Sequence, residues 1–166
     1  MTTAIAATPG LDISGSHGQL LRTAAYSLKS LLRTDTTQKI GCTLANLPPI
    51  ETFVCSITST LGIKTAVLVT ALIYVERLSR RLPASATGTV DTPYRIFLAA
   101  LLLADKFWSD HAVPIKSLVA ATGGVFPLRE ISNMERALIK LLGFNLFVSA
   151  DQVQCHAKKL GFDIQM

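Results

Sequence analysis

Cysteine is scarce in this 166-residue chain, and its pattern argues against both disulfides and metal sites. The three cysteines, Cys42, Cys55 and Cys155, are odd in number and far apart, so no disulfide framework is expected. Even together with the three histidines they do not show the spacing of a zinc site. Free thiols fit a reducing compartment, and the N-terminus lacks the basic segment and apolar core of a secretory signal. We therefore expect a cytoplasmic and/or nuclear protein.

Charged residues are also scarce, at 16% of the chain against 49% hydrophobic residues. The net charge is +5, but the basic residues are not clustered along the sequence. The pairs Arg80-Arg81 and Lys158-Lys159 stand apart from one another. A nucleic-acid groove usually has a basic stripe with aromatic residues between the cations. We therefore expect no nucleic-acid partner.

Long hydrophobic runs are missing, although the mean hydropathy is high for a soluble protein, at +0.42. The longest apolar stretches cover residues 66–75 and 96–104. A membrane-spanning helix needs about 20 apolar residues. These stretches are therefore predicted to be buried helices of a bundle, and no membrane partner is expected.

Catalytic motifs are absent as well. The chain has no GxGxxG, no phosphate-binding P-loop and no GxSxG. Its one acid–imidazole neighbour pair is Asp110 and His111, and adjacent residues of a chain rarely face each other. We therefore expect neither an enzyme nor a bound cofactor.

What the chain does contain is helical periodicity. Apolar residues recur at spacings of three and four from residue 17 onward, and prolines and glycines mark helix starts and ends. No segment is predicted to form a sheet. The predicted class is all-α, with helices at residues 17–33, 49–60, 64–80, 92–109, 114–123 and 127–143 and from residue 149 onward.

Three motifs in this order resemble a cyclin box. They are ALIYVERL (71–78), YRIFLAALLLADKFWSD (94–110) and PLREISNMERALIKLLGFNLFVS (127–149). The match is to single-box cyclins of the phosphate-pathway type, and it implies a five-helix cyclin-box bundle with additional N-terminal and C-terminal helices. We divide the chain into a disordered tail (1–16), an N-terminal helix and loop (17–46), the box (47–149) and a C-terminal helix (150–166). No second box is expected after residue 149.

The resemblance implies a regulatory subunit, monomeric when free, that binds and activates a cyclin-dependent protein kinase. Members of the family reposition the kinase's C-helix so that the active-site Lys–Glu ion pair forms. By matching motifs, Lys106 and Glu135 would hold backbone groups of the kinase. The surrounding apolar contacts implied by the family are Leu103, Phe107, Ile139, Phe144 and Leu146.

Helical spacing separates the charge pair of the motif LLLADKFW. Lys106 shares a helix face with Leu103 and Phe107, whereas Asp105 lies on another face. Two alternatives stay open here. Lys106 and Glu135 could simply pair with each other at the surface, and residues such as Leu103 could belong to the core.

The chain departs from the family pattern at two places. The family usually has a small residue where Asp105 stands. The second box helix carries an acid, Glu76, but the first box helix has no arginine to pair with it, so Arg22 or Arg33 is a candidate partner. The substrate-docking motif of cell-cycle cyclins is absent from the first box helix too. These departures motivate an alternative, a cyclin-fold adaptor or scaffold that does not activate a kinase.

Overall fold

Helices make up nearly all of the regular structure. In the computed structural model of the protein, the described residues are 16–31, 33–34, 47–161, 163–164 and 166. In that part of the chain the helices are α1 (Ser16–Ser30), α2 (Ile50–Leu61), α3 (Thr65–Arg81), α4 (Thr92–Trp108), α5 (Ile115–Ala121), α6 (Leu128–Leu141) and α7 (Ala150–Lys159). The predicted all-α class is confirmed, with five box helices, α2 to α6, between α1 and α7.

One small strand pair was not predicted. The strands β1 (Arg33–Thr34) and β2 (Thr87–Gly88) pair in parallel over two residues each. Strands this short have no alternating pattern that a sequence could reveal. The helix bounds agree with the prediction to within two residues, with two exceptions: α1 ends earlier, at Ser30, and α7 ends at Lys159, well before the predicted residue 166. The predicted disordered tail, apart from Ser16 at the start of α1, and the part of the loop that carries Cys42 lie outside the described residues.

Helix α4 forms the centre of the bundle. Every residue from Phe97 to Asp105 is buried, so this stretch has no solvent-facing side. A helix that is apolar all round must be covered by neighbours on every side. Helices α1, α2, α3 and α6 pack against α4. The apolar run in the sequence is therefore the core helix itself, and α4 reaches the surface only at its two ends.

An aromatic cluster joins α2 to the rest of the core. The ring of Phe53 lies edge-on to those of Tyr94, Phe97 and Phe126, with centroids 4.9, 6.2 and 6.4 Å away. The Tyr94 hydroxyl donates a hydrogen bond of 2.6 Å to the carbonyl of Pro48. Edge-on pairs contribute about 0.5–1.5 kcal/mol each beyond the area they bury. The cluster thus fixes the start of α2 against α4.

Helix α6 lies across α4 and is amphipathic. Only Ile131, Glu135 and Leu138 of this helix are buried. The helix begins after Pro127 and is followed by Gly143, which has a left-handed φ of 60°. That conformation ends helices and favours glycine. This placement brings the middle of α6 next to the end of α4.

Candidate partner-binding surface

Lys106 and Glu135 meet where α4 ends beside α6. The Lys106 Nζ lies 2.7 Å from the Glu135 Oε1, and the two side chains are 45% and 12% exposed. An ion pair with this exposure contributes only about 0–1 kcal/mol to stability. The fold therefore brings together two residues that are 29 positions apart, and they pair with each other in the free chain.

Asp105 points away from this pair, as the helical spacing predicted. Its carboxylate is buried and accepts hydrogen bonds from the Ser109 Oγ, at 2.9 Å, and from the backbone N–H of Val113, at 2.6 Å. These contacts fasten the loop that leaves α4 to the end of the helix. Asp105, which the family pattern left unexplained, thus has a structural role in the connection to α5.

We expect Asp105→Ala to destabilise the protein by about 1–3 kcal/mol, because the Val113 N–H loses a charged acceptor. Chemical denaturation of the variant would measure the loss. Asp110→Ala is the matched control, since it removes an exposed carboxylate from the same loop. Equal stability of the two variants would show that Asp105 does not brace this connection.

The segment after α6 carries two solvent-exposed phenylalanines. Phe144 and Phe147 are 72% and 71% exposed, whereas Leu146 between them is packed partly against the core. Phe144 has a left-handed φ of 60°, like Gly143 before it. A non-glycine residue in this conformation is uncommon and needs support from its surroundings.

Helix α3 supplies that support through side-chain hydrogen bonds to backbone carbonyls. Arg77 donates from both Nη atoms, to the carbonyls of Asn145 and Phe147, at 2.9 Å each. The Tyr74 hydroxyl donates to the Leu146 carbonyl at 2.7 Å, and burial raises the pKa of this phenol to about 12. The hydroxyl is therefore protonated at neutral pH and remains a donor.

Arg81 completes this set of α3 side chains, which we call the α3 clamp: Tyr74, Arg77 and Arg81. Its Nε donates to the Leu141 carbonyl at 2.8 Å. A Cβ at position 143 would lie only 2.5 Å from an Arg81 Nη, so a side chain there would displace the guanidinium from its present position. The clamp was not predicted from the sequence. The signal was present, because residues 74, 77 and 81 share one helix face.

The exposed aromatics continue onto α4. The Phe107 ring, 36% exposed, lies edge-on to the Phe147 ring, with centroids 6.2 Å apart. The Phe107 ring also lies edge-on to the Trp108 ring, with centroids 5.1 Å apart. The Trp108 Nε1 donates a hydrogen bond of 2.7 Å to the Thr70 Oγ1. We define the partner surface as Lys106, Glu135, Phe107, Phe144 and Phe147. Large apolar side chains that are exposed together more often mark an interaction site than a surface without a binding role.

The five predicted apolar contacts lie at three depths. Phe107 and Phe144 are exposed, Ile139 and Leu146 are partly buried, and Leu103 is only 6% exposed. Leu103 shares its helix face with Lys106, but it lies one turn further into the core, so it supports the surface from beneath. Phe147, which is more accessible than four of these five, was missed because no family position drew attention to it.

Among the side chains that the structure describes, Glu76 does not pair with Arg22 of α1. Its carboxylate lies 2.6 Å from Arg80 on the same helix and 3.6 Å from the Nδ1 of His156 on α7. Arg22 is exposed on α1, and the side chain of Arg33 lies outside the described residues. The expectation that Arg22 replaces the missing first-helix arginine is therefore wrong. Helix α7, and not α1, covers this side of α3.

Neither a metal site nor a membrane-spanning helix is found among the described residues. Among them, no group of three or more His, Cys, Asp or Glu residues is arranged to hold a metal ion. None of the helices in this part of the chain is long and apolar enough to cross a membrane.

The matching family profile and the similar proteins found for this chain are all cyclins. A sequence profile described as Cyclin matches residues 22–146. PHO85 cyclin-1 of Saccharomyces cerevisiae is 38% identical over 110 residues, which are 66% of this chain and 39% of that protein. PHO85 cyclin-2 of the same yeast is 24% identical over 135 residues, 81% of this chain and 44% of that protein.

The match extends to a third relative but not to a solved structure. PHO85 cyclin-9 of S. cerevisiae is 26% identical over 102 residues, 61% of this chain and 34% of that protein. The chain thus spans less than half the length of each of these curated relatives. No solved structure matches the chain significantly. Since the family profile covers more than half of its residues, this chain belongs to the cyclin family and is a cyclin of the PHO85-cyclin type.

Proposed function

We propose that this chain is a regulatory subunit that binds and activates a cyclin-dependent protein kinase. Its curated relatives are named as cyclins of PHO85, and family membership favours a regulatory role over a catalytic one. The observation that carries the proposal is the partner surface, where the Lys106–Glu135 pair lies beside exposed aromatics.

The geometry suggests how the surface works. Charged side chains form strong hydrogen bonds to backbone groups when a partner shields them from water. In the complex, Lys106 and Glu135 would exchange part of their mutual contact for backbone groups at the start of the kinase's C-helix. Phe107, Phe144 and Phe147 would bury their exposed faces around that charged centre. Aromatic anchors around a few polar contacts are typical of the residues that dominate binding energy.

Further proposals concern the oligomeric state, the cellular location and other partners. We propose a chain that is monomeric when free, lies in the cytoplasm and/or nucleus, and has neither a nucleic-acid nor a membrane partner. The alternative is an adaptor that binds no kinase or binds one without activating it. The adaptor was suggested by departures from the family pattern at Asp105 and in the first box helix. The first of these supports it less now, because Asp105 has a structural role that does not conflict with kinase binding.

The decisive experiment combines affinity with activity. A cyclin-dependent kinase is titrated with the full chain, and phosphorylation of a peptide substrate is measured in parallel. Lys106→Ala combined with Glu135→Ala should weaken binding at least about thirtyfold, which corresponds to about 2 kcal/mol. Activation at saturating concentrations should identify a cyclin, whereas binding without activation would favour the adaptor.

A matched control tests whether the loss of binding is specific to Lys106 and Glu135. Lys116→Ala combined with Asp151→Ala also removes one cation and one carboxylate, both exposed, from α5 and α7. This control should bind as the unaltered chain does. If both double variants bind equally well, Lys106 and Glu135 are not at the interface.

A further inference from the structure

A cleft of about 250 Å³ lies between α3 and α7. Arg77, Arg80 and Glu76 line it from α3, and His156 and Lys159 line it from α7. In the sequence, Arg80 and Lys159 belong to two separate basic pairs. The fold brings one member of each pair to this cleft, because α7 packs on the second half of α3.

The charges that line this cleft are not balanced. Glu76 is the one carboxylate among them, and it is paired with Arg80. Both Nη atoms of Arg77 donate to backbone carbonyls, so no carboxylate neutralises this guanidinium. Lys159 forms no ion pair with any residue that the structure describes. Within the part of the chain that the structure describes, three cations face one carboxylate, which leaves two positive charges uncompensated.

The imidazole of His156 also lines this cleft. Burial lowers its pKa, and the nearby Lys159 and Arg80 lower it further, against the opposing effect of Glu76. His156 is therefore neutral at pH 7 and does not add to the charge of the cleft. A neutral imidazole still offers one donor nitrogen and one acceptor nitrogen to a ligand.

We propose that the α3–α7 cleft binds a phosphate monoester, carried on a phosphorylated serine or threonine of a protein. A phosphate monoester has a charge of about −1.5 to −2 at pH 7, which balances the two uncompensated cations, whereas one carboxylate would balance only half. Guanidinium groups also match the oxygens of phosphate in a bidentate manner.

Glu76 is compatible with this ligand. Its ion pair holds the Arg80 guanidinium at the cleft before any ligand arrives. Arg77 is held in place by its two carbonyl partners, so it does not need to be ordered on binding. Preorganised cations lose less conformational entropy when an anion binds. The ligand would thus meet two positioned arginines and Lys159, which has no ion-pair partner among the described residues.

The proposal does not depend on kinase binding and is tested on the full chain alone. The probes are a short alanine peptide with one phosphoserine, the same peptide with serine, and inorganic phosphate. Binding is followed by the amide chemical shifts of the ¹⁵N-labelled protein. The phosphopeptide should shift resonances of the α3–α7 cleft, and inorganic phosphate should shift the same ones more weakly. The serine peptide should leave them unchanged.

Single variants locate the site. Lys159→Ala and Arg80→Ala should each weaken phosphopeptide binding about tenfold, because each removes one charge-assisted contact. Both side chains are exposed, so the fold should persist, as circular dichroism would verify. Lys116→Ala removes a cation from α5, outside the cleft, and should bind normally.

Three results would overturn the proposal. In the first, the phosphopeptide shifts no resonance of the cleft. In the second, Lys116→Ala weakens binding as much as Lys159→Ala does, which would indicate nonspecific attraction to a basic protein. In the third, a short single-stranded RNA shifts the cleft resonances more strongly than the phosphopeptide, which would assign the cleft to nucleic acid.

Discussion

Replacing Phe144 and Phe147 together with alanine should lower the affinity for a cyclin-dependent kinase about a thousandfold. Each ring is more than two-thirds exposed in the free chain, at 72% and 71%. Large aromatic side chains at the centre of an interface can contribute about 2 kcal/mol or more each, and about 4 kcal/mol corresponds to a thousandfold change in Kd. The effect should exceed that of the Lys106 and Glu135 variants, since those residues already pair with each other.

The stability of the chain should change far less than its affinity. Substitutions of exposed residues usually alter the free energy of unfolding by about 0.5 kcal/mol or less. The edge-on contact of Phe147 with Phe107 adds about 0.5–1.5 kcal/mol to that figure at most. Isothermal titration with the kinase and chemical denaturation of the free chain would separate the two effects.

Tyr26→Ala is the matched control for these aromatics. Tyr26 is 73% exposed on α1, so its removal deletes a comparable exposed ring from another surface. The kinase should bind this variant normally. An unchanged affinity for the Phe144 and Phe147 variant would place the interface elsewhere on the molecule.

Arg77→Ala is expected to loosen the segment that presents those two rings. The substitution removes both 2.9 Å hydrogen bonds to the carbonyls of Asn145 and Phe147. A hydrogen bond from a charged donor contributes about 1.5–3 kcal/mol, so we expect a destabilisation of about 2–4 kcal/mol after solvent replaces part of the loss. Kinase affinity should fall as well, since the segment would have to be ordered on binding.

Arg80→Ala provides the comparison for Arg77→Ala. Arg80 lies three residues further along α3, its side chain is 74% exposed, and its ion pair is with Glu76. Such an exposed pair contributes about 0–1 kcal/mol. Chemical denaturation and hydrogen exchange of residues 144–148 should therefore distinguish the two variants. If both lose the same stability and protection, the α3 clamp does not order the segment.

The helical class and most helix bounds could be predicted because helix formation depends on local sequence. The apolar run from Ile96 to Ala104 predicted a buried helix, and it is the central helix of the bundle. Pro127 and Gly143 likewise marked the ends of α6. The β1–β2 pair was not predicted, because its two strands are far apart in sequence and no local pattern indicates that they pair.

The candidate site was predictable only in part. The cyclin-like motifs pointed to Lys106 and Glu135, and helical spacing correctly separated Lys106 from Asp105. The depth of Leu103 and the exposure of Phe147 could not be predicted, because one turn of helix decides whether a side chain is covered by the neighbouring helices. The contacts of Asp105 with Ser109 and Val113 depend on how the loop after α4 folds back.

The sequence by itself determined the helices, their order and the cyclin-like motifs, because helical periodicity and end signals act over a few residues. Only the tertiary structure decided which distant side chains meet. It paired Lys106 with Glu135, joined Arg77 to the carbonyls of Asn145 and Phe147, and brought Arg80 into one cleft with Lys159. These contacts depend on how whole helices pack, and helix packing is set by the complete core and not by any local pattern.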